Sequence, residues 1–156
     1  MDMEIQPPAG ERRSVEGVRA ALPQRQTTDV DDGALRVSLL SFGFKYGQPH
    51  ANHVFDVSFL TNPARQEGWS LWSEPCDEMR NWVIAQPAAQ AFLSAVLPAI
   101  KTLAQLDDGA RFAFGCSAGR HRSTILVDEV AYLLRAEGIE VFTHHRERHA
   151  GATTRP

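Results

Sequence analysis

Cysteine is scarce in this chain, positive charge is not in surplus, and no long apolar run occurs, so several protein classes drop out at once. The 156 residues hold two cysteines, Cys76 and Cys116. They form no spaced framework, which excludes a disulfide-stapled secreted scaffold and suits a reducing compartment. The formal charge of −3 gives no global drive toward nucleic acid, so any RNA contact has to come from a local patch. No stretch approaches the roughly 18 consecutive apolar residues of a membrane span. Arg12-Arg13 is followed by no apolar segment of the kind export signals need. The expectation is a cytoplasmic protein with no membrane partner. A Gly-x-x-x-x-Gly-Lys-Ser/Thr run is also missing, which removes P-loop hydrolysis of ATP or GTP. His50, His121, His144, His145 and His149 show no ligand spacing with acidic partners, so neither a metal nor a cofactor is expected.

What remains is ordinary for one globular domain, with 43% hydrophobic and 22% charged residues. Residues 1–33 are rich in Pro, Gly, Gln and charge, without a sustained apolar period, and read as a disordered lead-in. Residues 34–148 read as the folded domain and 149–156 as a flexible tail. Within the domain, Leu35 to Phe42 begins with the alternation of a strand, and Gly43 marks its end. Val54 to Leu60 reads as a second strand, bounded by Asn62-Pro63. Glu78 to Ala85 reads as a short helix. Pro87 suits the first turn of a longer one through Leu106, which Pro98 would kink. Asp107-Asp108-Gly109 is a turn. Arg111 to Gly115 is a strand, and His121 to Glu137 is a helix with an apolar face ending at Gly138. Ile139 to Phe142 is the last strand. The fold class is α/β: one domain with a mixed or largely parallel sheet flanked by helices. A Cys-containing anion-binding loop joins a strand to a helix.

That loop is the most informative segment. An apolar strand runs into Gly115-Cys116-Ser117-Ala118-Gly119-Arg120-His121-Arg122-Ser123, and a helix begins at once. Backbone N–H groups at such a junction have no intrahelical partners, and the helix dipole adds positive charge, so a phosphate is a natural occupant. Gly115 and Gly119 would let the backbone curl, and Arg122 would hold phosphate oxygens through two donors. On this reading Arg122 touches only the ligand, and its removal would leave folding nearly intact. The spacing Cys, five residues, Arg, Ser also describes the loop of cysteine-dependent phosphatases. There Cys116 would be a nucleophile activated by Arg120, Arg122 and the helix N-terminus, and Trp72 to Asp77 a faint acid loop. The bland alternative makes Cys116 a small buried hydrophobe and the arginines solvated charges.

By the rule that ligands bind beyond the carboxyl ends of strands, Lys45, the cradle and His145-Arg146 are expected along one sheet edge. Lys45 would add a second cation. Asp56 is either a polar contact at a strand end or solvent-facing. Trp69, Trp72 and Trp82 are expected mainly in packing roles.

The segments Ser41 to Gly47, Val54 to Leu60 with Asn62-Pro63, Gly115 to Ser123 and His145-Arg146 occur in an order and spacing that resembles the C-terminal domain of the RNase adapter protein RapZ. The likeness runs from about Leu35 to about Arg148. It implies a stand-alone sensor-like domain that binds an amino-sugar phosphate such as glucosamine-6-phosphate and passes the signal to a protein or RNA partner. Relatives assemble into oligomers, a state that no motif here carries over, and the resemblance favours binding over catalysis. The ligand set implied comprises Cys116, Ser117, Ala118, Gly119, Arg120, His121, Arg122, Ser123, Lys45, Asp56, Asn62, His145 and Arg146. A phosphatase and an RNA-binding adapter remain as alternatives. Departures from the family pattern fall at His50 to His53, Ser58, Ala64 and Ser117-Ala118, so the phosphate half of the pocket matches better than the rest.

Overall fold

A computed structural model of the chain describes residues 33–150, and the side chains through Arg148. The expected lead-in and tail lie almost entirely outside the described residues. The described elements are β1 (Arg36–Gly43), β2 (His53–Asp56), α1 (Asp77–Ile84), α2 (Pro87–Leu106), β3 (Ala110–Cys116), α3 (Arg122–Ala136), β4 (Glu140–His145) and α4 (Arg146–Ala150). Two single 3-10 turns, Phe44–Tyr46 and Pro63–Arg65, follow β1 and β2.

The four strands form one parallel sheet in the order β2-β3-β1-β4. Parallel strands bury both faces at the centre of a sheet, and β3 accordingly is buried along its length except at Arg111. Register fixes two faces. Val37, Leu39 and Ser41 lie beside Ala110, Phe112 and Phe114 on one side, and beside Val141, Thr143 and His145 on the other. Paired residues share a face, and this one packs against α1, α2 and α3 in the main hydrophobic cluster. Helix α2 contributes Ala89, Leu93, Val96, Ile100 and Ala104, an apolar stripe at helical spacing. By length and mean hydropathy alone α2 would suffice for a membrane span; here its stripe is spent on the core. The opposite face carries Ser38, Leu40, Arg111 and Phe142.

Strand β2 ends at Asp56, four residues before the expected Leu60. The Asp56 carboxylate accepts the Ser58 N–H at 2.9 Å, and the Leu60 N–H turns back to the Val57 carbonyl. A local side-chain acceptor thus competes with the ladder and wins. The apolar residues Val57 and Leu60, which made the stretch read as strand, are buried under the turn. Helix α2 runs unbroken through Pro98. Helix α3 stops where expected: Gly138 has φ +81°, and the Gly138 and Ile139 amides bond back to Arg135 and Leu134.

Two further contacts place the end of β1 and the last turn of chain. Gly43, the final residue of β1, lies against the 118–119 peptide so closely that a Cβ on Gly43 would sit 2.5 Å from the Ala118 carbonyl carbon. A Cβ on Gly119 would sit 2.4 Å from the Gly43 nitrogen, and Gly119 has φ +71°. The Gly43 N–H donates to Glu147 Oε2 at 2.7 Å, and the other Glu147 oxygen accepts from Arg146 Nε. Below this clasp runs a polar chain. Arg80 donates to Asp128 at 2.9 Å, Asp128 accepts from His145 Nε2 at 2.9 Å, and His145 Nδ1 meets Ser41 Oγ at 2.7 Å. Since a carboxylate only accepts, Nε2 carries the proton, and in the neutral ring Ser41 donates to Nδ1. The chain ties α1, α3, β4 and β1 together.

Burial pushes the Asp128 carboxyl up, but the hydrogen bond and charge of His145, then those of Arg80, outweigh it and hold it below 3.8. A depressed carboxyl stabilises the fold above its unfolded value and loses that contribution as pH falls through its folded value. Urea unfolding of the protein and Asp128→Asn should therefore differ most near neutral pH and converge below about 3.8. A gap that stays constant down to pH 3 would remove the polar chain from the stability of the domain. Gly119→Ala combines a strained φ with a backbone clash and should cost about 2–4 kcal/mol. Gly43→Ala, whose φ is ordinary, should lose stability through the clash alone; equal stability to the parent in both would show that the loop gives way freely.

Candidate functional site

Strand β3 delivers Cys116 to the sheet edge, the chain bends through residues 117–121, and α3 starts at Arg122 with His121 before its first turn. The backbone N–H groups of 117–121 donate to no acceptor among the described residues, and the first intrahelical bond runs from Ile125 to the His121 carbonyl. The result is a run of amides without a protein acceptor just ahead of the positive end of a 15-residue helix. Gly119 supplies the positive φ expected of the curl. Gly115 does not: it belongs to β3, and a Cβ there would lie 2.5 Å from the Phe42 and Phe44 rings. Its requirement is ring packing on the sheet face rather than a bent backbone.

Cys116, Ser117, Ala118, Arg120, His121 and Arg122 line one small cavity with Asn62 and Leu71. Arg122 is the brace of this cavity. Its Nη1 donates to the Ser58 and Leu60 carbonyls at 2.9 and 3.1 Å, and Nη2 donates to Ser117 Oγ at 3.0 Å. Three of the five guanidinium donors are thus committed to protein, leaving Nε and one Nη2 hydrogen for an anion. The expectation that Arg122 serves only a ligand is corrected accordingly, because two backbone acceptors would lose their partner without it. Ser123 is fully buried and its hydroxyl meets Cys116 Sγ at 3.3 Å. Asn62 caps the Pro63–Arg65 turn through the Ala64 N–H and brings the post-β2 loop to the cavity wall.

A strap covers the mouth. Leu71 lines the cavity, the Trp72 ring lies 4.8 Å from the Arg120 guanidinium carbon, and His121 Nε2 donates to the Ser73 carbonyl at 2.7 Å. The space left beneath is about 20 Å³. Sequence reasoning missed Leu71 and Ser73 as site residues; only the Trp72-Ser73-Glu74 run hinted that this segment faces the loop. Trp69 and Trp82 pair edge-to-face at 5.8 Å and pack on the core, whereas Trp72 is 73% exposed.

The other expected residues divide. The Lys45 N–H donates to the Ser117 carbonyl, which seats the Phe44–Tyr46 turn beside the loop, while its ammonium lies 5.0 Å over the Tyr46 ring. Arg146 donates to the Gly43 and Gly47 carbonyls and lies over Phe42. The ends of β1, β3 and β4 therefore meet along one edge, where Arg146 spends its charge on framework contacts and the exposed Lys45 does not. His145 is buried in the polar chain to Asp128 and Ser41, and Asp56 closes its own turn. Neither lines the cavity.

Chemically, the site offers amides, hydroxyls and one partly free guanidinium, a set that suits an oxyanion. Cys116 is 3% exposed, and no carboxylate of the 72–77 segment is among the residues lining its cavity. A thiol attack with general-acid help finds no acid there. Among the described residues no group of three His, Cys, Asp or Glu side chains could hold a metal ion.

Comparison with known proteins bears on the same residues. The profile of the RapZ C-terminal domain matches residues 35–149. A "Nucleotide-binding protein" from Nocardioides sp. (strain ATCC BAA-499 / JS614) is 38% identical, with 75% of this chain and 41% of the relative covered. One from Desulfovibrio desulfuricans is 34% identical over 90% of this chain and 47% of the relative. "Nucleotide-binding protein SCO1952" from Streptomyces coelicolor is 35% identical over 72% of this chain and 40% of the relative. The chain spans less than half the length of these three relatives. Because the matched stretch opens just before β1 and closes inside α4, it takes in every element that builds the cradle, and the chain belongs to the RapZ C-terminal domain family.

Proposed function

We propose that the 117–121 loop and the start of α3 hold the phosphate of a small phosphorylated metabolite, an amino-sugar phosphate such as glucosamine-6-phosphate, and that occupancy is passed to a partner. The observation that carries this reading is a loop whose amides have no protein acceptor and which lines one cavity with Arg122, a side chain with donors to spare. The two free thiols suit a reducing compartment, and the cytoplasm is the proposed location. The relatives are called nucleotide-binding proteins, but they are more than twice as long as the matched region, so a nucleotide serves here as a competing ligand in the test.

A phosphosugar does not fit into about 20 Å³, so binding requires the strap at Leu71–Ser73 to lift. The strap contacts to be broken are one hydrogen bond from His121 and one cation–π contact with Arg120. Together these hold roughly 1–2.5 kcal/mol. A ligand at a hundred times its dissociation constant supplies about 2.7 kcal/mol, enough to win. Strap release, which frees the exposed Trp72, is the proposed output. Arg122 then couples the ligand to the post-β2 loop, since the same side chain bonds the Ser58 and Leu60 carbonyls.

Calorimetric titration of the purified protein tests the assignment. Glucosamine-6-phosphate and inorganic phosphate should bind and exclude one another, while unphosphorylated glucosamine should not bind. Ser117→Ala should weaken binding about fivefold, the worth of one hydrogen bond, and should lower the melting temperature less than Arg122→Ala, because only one of the three protein contacts of Arg122 is lost. Arg122→Ala should weaken binding and lower the melting temperature together. Tighter binding of a nucleoside monophosphate than of the phosphosugar would replace the ligand class. Equal binding of glucosamine with and without phosphate would end the phosphate reading altogether.

A further inference from the structure

A cavity larger than the one at the cradle lies elsewhere on the domain. It holds about 270 Å³ on the sheet face turned away from α1–α3, and the cradle residues take no part in it. Register explains its floor. Arg111 on β3 and Phe142 on β4 both pair with Ser38 on β1, forming one row across three strands, and Leu40 stands in the next row. Neighbouring strands lie about 4.8 Å apart, so the guanidinium and the phenyl ring originate about 10 Å from each other. The side wall is the loop between β1 and β2, represented by His50 and Ala51. That wall is fixed. The Asn52 N–H donates to the Arg111 carbonyl at 3.0 Å, and Asn52 Oδ1 accepts the Arg111 N–H at 2.8 Å, so the loop is stapled to β3 at the cavity's cationic residue.

Charge and polarity are separated across this floor. Phe142 is 56% exposed, which is costly for a large aromatic ring without a partner, and with Leu40 it makes an apolar patch on the β1–β4 side of the floor, beside Thr143 and His144. On the β3 side no carboxylate among the described residues pairs with the Arg111 guanidinium. The carboxyl-terminal half of this face is covered by Phe42, Phe44 and the Arg146 guanidinium.

We infer that this cavity is a second ligand site, separate from the cradle, for a small organic acid with a flat apolar body and one anionic group. The anion pairs with Arg111, and the ring lies over Leu40 against Phe142. Size sets the class: drug-sized pockets begin at about 300 Å³, so the cavity takes a one- or two-ring acid rather than a dinucleotide. The rigid wall and the short span favour such a molecule over a peptide chain, which would need an open groove.

The probe is 8-anilinonaphthalene-1-sulfonate, whose naphthyl ring and sulfonate match both the span and the polarity. Its fluorescence should rise saturably on the folded protein, with one site per chain. Arg111→Gln keeps the backbone staple and should weaken binding about tenfold, the value of a hydrogen bond to a charged group. Ser38→Trp should fill the cavity and abolish the signal. The cradle variant Ser117→Ala and millimolar inorganic phosphate should leave it unchanged, so the outcome is independent of the phosphate reading. Near-ultraviolet circular dichroism confirms that each variant retains its packing. Wild-type fluorescence in both Arg111→Gln and Ser38→Trp, or displacement by phosphate, would overturn the inference. Equal affinity for the uncharged probe N-phenyl-1-naphthylamine would remove the anion from it.

Discussion

Two backbones touch at the sheet edge of this domain, and neither leaves room for a side chain. Gly43 closes β1 and Gly119 bends the loop after β3, with every Cβ position between them already occupied by main-chain atoms. The loop pressed onto β1 there also lines the small cavity with Asn62, Leu71 and Arg122. The Gly43 N–H, which would otherwise be stranded by the same approach, is taken by Glu147, and Arg146 neutralises that carboxylate while gripping the Gly43 carbonyl. The start of α4 is thus part of the clasp. Loop shape and the position of the last helical turn both descend from one close contact.

Around this clasp the polar side chains act mainly as struts. Arg122 joins the cradle to the turn after β2, His121 and Arg120 hold the strap, and His145 joins the sheet edge to α3 and α1 through Asp128. Each strut is worth about 1–3 kcal/mol, comparable to what a metabolite contributes at saturating concentration.

Much of the architecture was legible in the sequence because it rests on local signals. Alternation marked β1, Pro87 opened α2, Gly138 closed α3, and a short apolar strand before Cys116-Ser117 pointed to the cradle. The errors arose where a distant or competing partner decides. Asp56 ends β2 by capturing the Ser58 amide, which no apolar pattern reveals. Gly115 reads as a hinge until Phe42 and Phe44 are seen stacked over it. Arg122 reads as a free ligand until the carbonyls of residues 58 and 60, more than sixty positions away, are found on its donors. The open-face cavity was invisible for the same reason: Arg111, Ser38 and Phe142 share nothing in sequence except a common register.

The claim on which the rest depends is that the amides of Ser117 to His121 receive a dianion. A 15N–1H correlation spectrum recorded while glucosamine-6-phosphate is titrated into labelled protein addresses those amides one by one. The phosphate cradle predicts that the largest shifts, downfield in the proton dimension, fall on residues 117–121, with a smaller response at Trp72 as the strap lifts. Saturating ligand that moves other resonances and leaves the 117–121 amides in place would contradict it.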